Sequence, residues 1–172
     1  APQSFLFIMP TLYLIRHAKS SWEQPGLRDI NRPLNERGMR DAPRMARFLL
    51  DTGAAPDLIV SSPAKRAYST ALYFAETFGI KDEDIQIVPD IYEASASDIM
   101  RIVSALPDSA QTVFLFGHNP TLTDVANRFT DTFILNVPTC GIVKIDSTAP
   151  DWKGFYDNNA RISACFFPKE VL

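Results

Sequence analysis

The chain of 172 residues contains only two histidines and two cysteines, which limits the metal chemistry open to it. The cysteines, Cys140 and Cys165, form neither a Cys-x-x-Cys pair nor any other metal-ligand spacing. A zinc site is therefore not expected. Two reduced thiols of an intracellular protein are the favoured interpretation, with a Cys140–Cys165 disulfide as the alternative.

Long apolar runs and an excess of one charge are also missing. No apolar run approaches the roughly 18 residues that a membrane-spanning helix needs. The formal net charge is -3, so neither nucleic acid nor a membrane is expected as a partner. Residues 1–8 lack a basic leader, and we interpret them as an upstream extension or cloning remnant before one domain at 9–172. We expect the protein to be located in the cytoplasm.

Short apolar runs alternate with amphipathic helical patterns over most of the chain. Strands are predicted at 11–15, 57–60, 85–88, 112–116, 141–145 and 161–167. Helices are predicted to begin at Asn35, at Ser62-Pro63, at Ser95 or Ser97, and at Asn119-Pro120. Pro43 interrupts the first helical pattern and predicts a kink or a restart there. The alternation predicts a three-layer α/β/α sandwich around a mostly parallel sheet.

Polar and titratable side chains follow the predicted strands at the points where those strands end. They belong to Arg16 and His17 after the first strand, Ser61 and Ser62 after the second, Glu93 after the third, and His118, preceded by Gly117, after the fourth. Ligands bind outside the carboxyl ends of the strands in such sheets. These side chains are therefore expected to share one site.

The chemistry of this set suits a phosphoryl group. Arg16 and Arg66 supply planar guanidinium groups, and the helix starts supply free N–H groups. Neutral His17 could attack phosphorus, while protonated His118 could stabilise the charge of the transition state. Glu93 could protonate the leaving group if burial keeps it protonated near neutral pH.

Each of these residues also has a purely structural interpretation. A single histidine after a strand is often a core or capping residue, Arg66 could form a surface salt bridge, and Glu93 could simply be exposed. The basic loop residues are interpreted as a solvated edge, or alternatively as the rim of a pocket for an acidic partner; they are Arg28, Arg32 and Arg37.

Four motifs together resemble the histidine phosphatase superfamily, also called phosphoglycerate-mutase-like. They are Leu14-Ile-Arg16-His17, Pro33-Leu34-Asn35-Glu36-Arg37-Gly38, Ser61-Ser62-Pro63-Ala-Lys-Arg66-Ala-Tyr-Ser-Thr70 and Gly117-His118-Asn119-Pro120. The resemblance implies the corresponding fold, a transiently phosphorylated His17, and no metal or cofactor. It implies that Arg16, Arg66 and His118 hold the phosphoryl group. Asn119 and Ser20 are further phosphate-binding candidates.

The short chain and the opening Arg16-His17-Ala-Lys-Ser-Ser-Trp22 are most similar to the small SixA-like branch, which is associated with protein phosphohistidine phosphatases. Ala18 departs from the usual Arg-His-Gly, and Glu23 stands where mutase-like relatives carry asparagine. Short connections leave little sequence for a lid, which favours phosphohistidine in a protein as the substrate. The alternatives are a small-molecule phosphomonoester phosphatase and a non-catalytic phosphate-binding module, and the oligomeric state stays open.

Overall fold

The structure is a computed structural model that describes residues 7–172. Its strands are β1 Thr11–Arg16, β2 Leu58–Ser61, β3 Gln86–Ile87, β4 Thr112–Gly117, β5 Ile142–Ser147 and β6 Ala160–Phe166. Its α-helices are α1 Glu36–Asp51, α2 Lys65–Phe78, α3 Ala96–Ser104, α4 Thr121–Ala126 and α5 Pro168–Val171. The strands form one sheet in the order β3-β2-β4-β1-β5-β6. The first four run parallel, and β5 and β6 run antiparallel to their neighbours.

Helices cover both faces of the sheet. Along β1, side chains alternate between faces. Leu12 and Leu14 are buried in the cluster that includes α3 and α4, whereas Tyr13 and Ile15 are buried in the cluster that includes α1 and α2. Both faces of this central strand are therefore buried, as expected for a parallel sheet between two helical layers. The predicted three-layer sandwich is confirmed.

The segment before β1 packs against the domain over the residues that the structure describes. The amide of Ile8 donates to Pro150 O and that of Met9 to Ala149 O, each at 3.0 Å. Ile8 also packs against the core cluster on the α3 side. Of the segment 1–8 that we interpret as an extension, residues 1–6 lie outside the described part of the chain.

The first helix begins as predicted but does not restart. Asn35 caps α1, its Oδ1 accepting from Gly38 N at 2.9 Å. Pro43 lies inside one continuous helix, so the predicted restart is wrong. The neighbouring Ala42 and Met45 are fully buried, and their packing outweighs the lost backbone hydrogen bond. No helix among residues 7–172 is long and apolar enough to cross a membrane.

Two other predicted helix starts lie one or two residues too early. The helix predicted to start at Ser62-Pro63 begins at Lys65, because Ser62 N is used by the sheet and donates to Phe116 O at 3.0 Å. The helix predicted to start at Asn119 begins at Thr121. Of the two caps predicted for α3, Ser95 and Ser97, the structure uses Ser95. Ser95 Oγ accepts from Asp98 N, and Ser95 N donates to Asp98 Oδ2.

The third strand is shorter than predicted. β3 holds only two residues, both exposed, and pairs with β2 at the edge of the sheet. Pro89 has no N–H for a ladder and opens a 3-10 turn that runs to Ile91. The chain therefore turns over the end of the sheet early, which brings Tyr92 toward the end of β4.

Candidate active site

The register of β1 and β4 places the two histidines side by side. Arg16 and Gly117 are the last paired residues of these neighbouring parallel strands. The next amide, His17 N, still donates to Gly117 O at 3.1 Å. The rings of His17 and His118 consequently lie 5.3 Å apart between centroids. The sequence prediction that these strand ends meet is realised in the structure.

Arg66 reaches the same place from the first turn of α2. Its strand, β2, pairs with β4 so that Ser61 faces Phe116, one residue from the end of β4. The Arg66 side chain is 8% exposed and lies close enough to His118 to lower the pKa of that imidazole. Both guanidinium groups predicted from the sequence are thus near the histidine pair.

The ring of His17 is held neutral and in one tautomer. Its Nδ1 lies 2.7 Å from Ala18 O, and because a carbonyl oxygen only accepts, Nδ1 carries the hydrogen. Nε2 is then the nitrogen with a free electron pair. Burial, reinforced by the charges of His118, Arg66 and Arg16, lowers the pKa of His17 to about 3, against the opposing bond to Ala18 O.

The second imidazole is bound to a hydroxyl. His118 Nε2 lies 2.8 Å from Ser62 Oγ. The oxygen of this hydroxyl accepts from Ala64 N at 3.1 Å, which leaves its hydrogen available to Nε2. Burial first, and the Arg66 charge second, lower the pKa of His118 to about 4. The free protein therefore favours neutral His118 near neutral pH, in contrast to the protonated form expected from the sequence. A bound anion would raise this pKa, because it stabilises the charged form.

A loop after α4 holds Arg16. Arg16 Nη1 donates to Val137 O at 3.0 Å. The amide of Cys140 donates to Arg16 O and to His17 O, with Cys140 in the left-handed region at φ 61. This rarely populated conformation is maintained by the two hydrogen bonds, which fix the backbone on which the arginine and the histidine sit.

Three buried side-chain nitrogen atoms in this cluster have no hydrogen-bond partner within residues 7–172. They are Arg16 Nε, Arg66 Nε and His118 Nδ1. Buried donors are nearly always paired in native proteins, because an unpaired one costs free energy. These nitrogens belong to the three side chains whose charges act on the His17 ring. Two guanidinium groups and one imidazole with unused donors can together bind an anion with several oxygens. A phosphoryl group fits this description.

The sequence profile of the histidine phosphatase superfamily (branch 1) matches residues 12–105, just over half of the chain. The chain belongs to the histidine phosphatase superfamily. An uncharacterized chloroplastic protein of Arabidopsis thaliana is 31% identical over 151 residues, covering 83% of this chain and 68% of that protein.

Solved structures of SixA proteins superpose on nearly the whole chain. SixA from Agrobacterium tumefaciens, described provisionally as a phosphohistidine phosphatase, is 30% identical with a TM-score of 0.77, covering 92% of this chain and 97% of its own. A protein histidine phosphatase SixA in complex with tungstate has a TM-score of 0.80 at 17% identity, over 94% and 99% of the two chains, which is a likeness of fold. The assignment to an enzyme superfamily of the phosphatase type, made from the sequence, is confirmed.

In this histidine phosphatase, Asp29 is the site residue that sequence reasoning missed. It lies in a 3-10 turn, Asp29–Asn31, inside the long loop after β1. Arg66 donates to it twice, from Nη1 to the backbone oxygen at 2.8 Å and from Nη2 to Oδ2 at 3.0 Å. Tyr92 donates its hydroxyl to the same Oδ2 at 2.7 Å. An acidic residue without periodic context has no sequence signal, and only the fold brings it to Arg66.

The interpretation of Arg32 as a solvated residue is wrong. Arg32 is buried, donating from Nε to Asp29 Oδ1 at 3.1 Å and from Nη1 to Ser20 Oγ at 3.0 Å. Its guanidinium also lies 3.5 Å from the ring centre of Trp22, whose other side is exposed. Arg28 and Arg37 are exposed, as the solvated interpretation expects. The alternative, that the three residues rim a pocket for an acidic partner, stays a prediction.

The structure uses Ser20 and Asn119 for internal contacts. Ser20 is buried, and its hydroxyl accepts from Arg32. Asn119 Nδ2 donates to Asn136 Oδ1 and Val137 O, while its Oδ1 accepts from Thr123. The Asn119 amide group is therefore fully engaged and braces the loop that holds Arg16.

Glu93 lies apart from the histidine pair. It is exposed, in the left-handed region at φ 60, and lines a surface groove together with Asp90, Asp98 and Arg101. The burial on which its proposed role as an acid depends is not present. The third strand ends early, and the chain turns Tyr92 rather than Glu93 toward His118, with ring centres 5.7 Å apart.

The two departures from the superfamily pattern have different structural settings. Ala18 is buried with an ordinary negative φ, and its amide donates to Thr70 Oγ1 at 3.0 Å, so a glycine is not needed there. Glu23 is exposed in the loop. The glycine that the site does need is Gly38, since a Cβ there would collide with Lys19 O and displace the segment leading to Ser20.

No group of three or more His, Cys, Asp or Glu side chains among residues 7–172 is placed to hold a metal ion. Cys140 is buried and Cys165 partly buried, and both are free thiols.

Acid is expected to destabilise the protein between pH 6.5 and about 3 through its two histidines. In that window the unfolded chain protonates both imidazoles, whose ordinary pKa is 6.5, while the folded protein resists protonation down to about 4 and about 3. Protons then favour the unfolded state, and the free energy of unfolding falls by about 5 kcal/mol through His17 and about 3 kcal/mol through His118, on the order of 8 kcal/mol for the pair. Urea unfolding at a series of pH values measures this change in the free energy of unfolding.

A variant with His17→Gln and His118→Gln is the comparison for this prediction. Its free energy of unfolding should vary little between pH 6.5 and 4.5, because glutamine does not titrate. Equal slopes for the two proteins in that window would contradict the assignment of the acid sensitivity to the histidine pair.

Proposed function

We propose that this protein is a metal-independent phosphatase that acts on phosphohistidine in another protein through a phosphorylated His17. The observation that carries the proposal is a neutral His17 with a free Nε2, close to three side chains that each have a buried nitrogen without a partner: Arg16 Nε, Arg66 Nε and His118 Nδ1. A neutral nucleophile surrounded by donors with no other partner suits transfer of a phosphoryl group.

The reaction takes two steps. His17 Nε2 bonds to phosphorus as the bond to the leaving group breaks, and Ala18 O keeps the hydrogen on Nδ1. Arg16, Arg66 and His118 hold the phosphoryl oxygens. When the Ser62 hydroxyl donates to Nε2 of neutral His118, the His118 hydrogen is on Nδ1 and can be donated to an oxygen. Water then attacks phosphorus as the bond to His17 Nε2 breaks and its electron pair returns to Nε2. His17 leaves as a neutral imidazole, and the two hydrogens of the water go with the inorganic phosphate.

The protein-borne substrate is supported by exposure at the mouth of the site. The Asp29 side chain, which binds Arg66, is 48% exposed, and Trp22 on Arg32 is 74% exposed. A phosphorylated side chain presented by a second protein can approach such a surface. The SixA structure of similar sequence carries the description of a phosphohistidine phosphatase, which agrees with this substrate class.

The purified protein should hydrolyse a phosphohistidine protein with a kcat/KM at least about tenfold above that for any sugar phosphate in a panel. A chelator should leave the rate unchanged, because the proposed donors to the phosphoryl oxygens, Arg16, Arg66 and His118, are all side chains of the protein. Preference for a sugar phosphate would overturn the substrate, and loss of activity in chelator would overturn the metal-independent mechanism. Absence of turnover on every phosphoryl compound would leave a phosphate-binding module.

A further inference from the structure

The exposed edge of the proposed site carries one carboxylate, Asp29, which binds donors from three parts of the chain. Its Oδ2 accepts from Arg66 at 3.0 Å and from Tyr92 at 2.7 Å, and its Oδ1 accepts from Arg32 at 3.1 Å. An ionised carboxylate offers about four acceptor positions, so these bonds leave one of them on Oδ1. With the side chain 48% exposed, a ligand can reach it.

We infer that Asp29 binds the leaving group of the substrate, its carboxylate accepting a hydrogen bond from the ring N–H of the departing imidazole. The inference rests on the proposed function, because an alcohol leaving group has no such N–H. Arg66 connects the two halves of the site. Its Nη1 and Nη2 bind Asp29, while its buried Nε has no partner. In the proposed reaction, this Nε binds the phosphoryl group.

The chemistry of the substrate ring makes an acceptor useful at this position. A phosphorylated imidazole carries phosphorus on one nitrogen and, when protonated, a hydrogen on the other. A carboxylate stabilises this protonated ring, because an opposite charge nearby favours the charged form. The protein treats His17 in a similar way, placing Ala18 O at 2.7 Å from the nitrogen that does not react.

Charge and atoms balance in the transfer without a proton from the protein. His17 Nε2 forms a bond to phosphorus, the P–N bond of the substrate breaks, and its electron pair stays on the departing nitrogen. The protonated substrate ring leaves as neutral imidazole with its N–H still on Asp29. His17 becomes the cationic phosphorylated ring, with its hydrogen on Nδ1.

The groups around Asp29 keep it an acceptor. They are Arg66 from α2, Arg32 from its own loop, Tyr92 from the turn before α3 and, at longer range, His118 at the end of β4. The hydrogen bond from Tyr92 and those from the two guanidinium groups lower the pKa of Asp29 to about 2. An alcohol leaving group needs a proton, which ionised Asp29 does not supply. Asp29 therefore favours phosphohistidine over phosphate esters.

The test compares two substrates, a phosphohistidine peptide and an aryl phosphate, in wild type and in Asp29→Asn. The variant should lose about 10–100-fold in kcat/KM for the peptide, the factor that a charge-assisted hydrogen bond supplies. For the aryl phosphate, the loss should stay below about threefold, well inside that factor. The loss on the peptide should grow above neutral pH, where the substrate ring no longer keeps its proton unaided.

Two further variants sharpen the comparison. Asp29→Glu keeps the carboxylate and should recover part of the preference for the peptide. Asp51→Asn removes a comparable half-exposed carboxylate, paired with Arg47 at the opposite end of α1 from Asn35, and should leave both rates unchanged.

An equal loss on both substrates in Asp29→Asn would overturn the inference, since Asp29 would then act only by positioning Arg66, and the proposed function would stand. A wild-type protein that cleaves the aryl phosphate but not the phosphohistidine peptide would overturn the proposed substrate and the inference with it.

Discussion

Replacement of His17 by alanine is expected to lower kcat/KM on the order of 10⁴-fold or more, on every phosphoryl substrate that the protein accepts. Nε2 of His17 is the atom to which phosphorus is transferred in the proposed reaction. Alanine offers no nucleophile in its place. Arg16, Arg66 and His118 would remain, so the variant should still bind an anion such as tungstate or phosphate.

The phosphorylated protein itself gives the sharper measurement. Wild type mixed rapidly with a labelled substrate and quenched in alkali should carry label on His17, because phosphohistidine survives alkali and is lost in acid. His17→Ala should carry none. His118→Gln should accumulate label more slowly, since it keeps the nucleophile and loses one donor to the phosphoryl oxygens.

Two results would contradict the role of His17. One is hydrolysis by His17→Ala within tenfold of wild type, and the other is label recovered from a different residue. Before activities are compared, the free energies of unfolding of His17→Ala and wild type have to be measured. His17 is buried, yet its main contact is to the neighbouring Ala18 O, so the free energy of unfolding should change by about 1–2 kcal/mol at most.

The histidine pair could be predicted from the sequence because its position depends on the regular part of the fold. Arg16-His17 and Gly117-His118 each follow a continuous apolar run, and parallel strands end at the same edge of a sheet. A small error in a strand boundary does not change which edge this is. Arg66 was predictable for the same reason, since α2 starts at that edge.

The contacts of irregular segments could not be predicted in this way. Asp29 and Arg32 lie in a loop, where no periodicity says which way a side chain points, and their partners come from α2 and from the turn before α3. Glu93 was placed by counting from a strand that proved two residues long. One residue further back, Tyr92 takes the position beside His118.

Arg66→Lys is expected to lower kcat/KM by about 10²–10³-fold while keeping the positive charge. The guanidinium of Arg66 binds two groups at once, which the single ammonium group of a lysine does not do. It binds Asp29 O and Oδ2 through Nη1 and Nη2, and in the proposed reaction its unpartnered Nε holds the phosphoryl group. Lysine carries its three donors on a single atom, so it gives up either the carboxylate or the phosphoryl oxygen.

Arg47→Lys is the matched control for this substitution. Arg47 lies on α1, 71% exposed, and pairs with Asp51 four residues along the helix at 3.3 Å. An exposed pair of this kind contributes little, so both activity and stability should be unchanged. Unfolding of Arg66→Lys should be measured alongside, because the side chain it replaces is 8% exposed and paired.

Whether Arg66→Lys lowers kcat or raises KM shows at which stage of the reaction Arg66 binds the phosphoryl group. If its free Nε binds the phosphoryl group most strongly in the transition state, kcat falls and KM changes little. A rise in KM alone would mean that Arg66 binds substrate and transition state equally. A loss below about threefold in a folded Arg66→Lys would remove Arg66 from the phosphoryl site, because a single donor aimed at developing charge is worth far more than that.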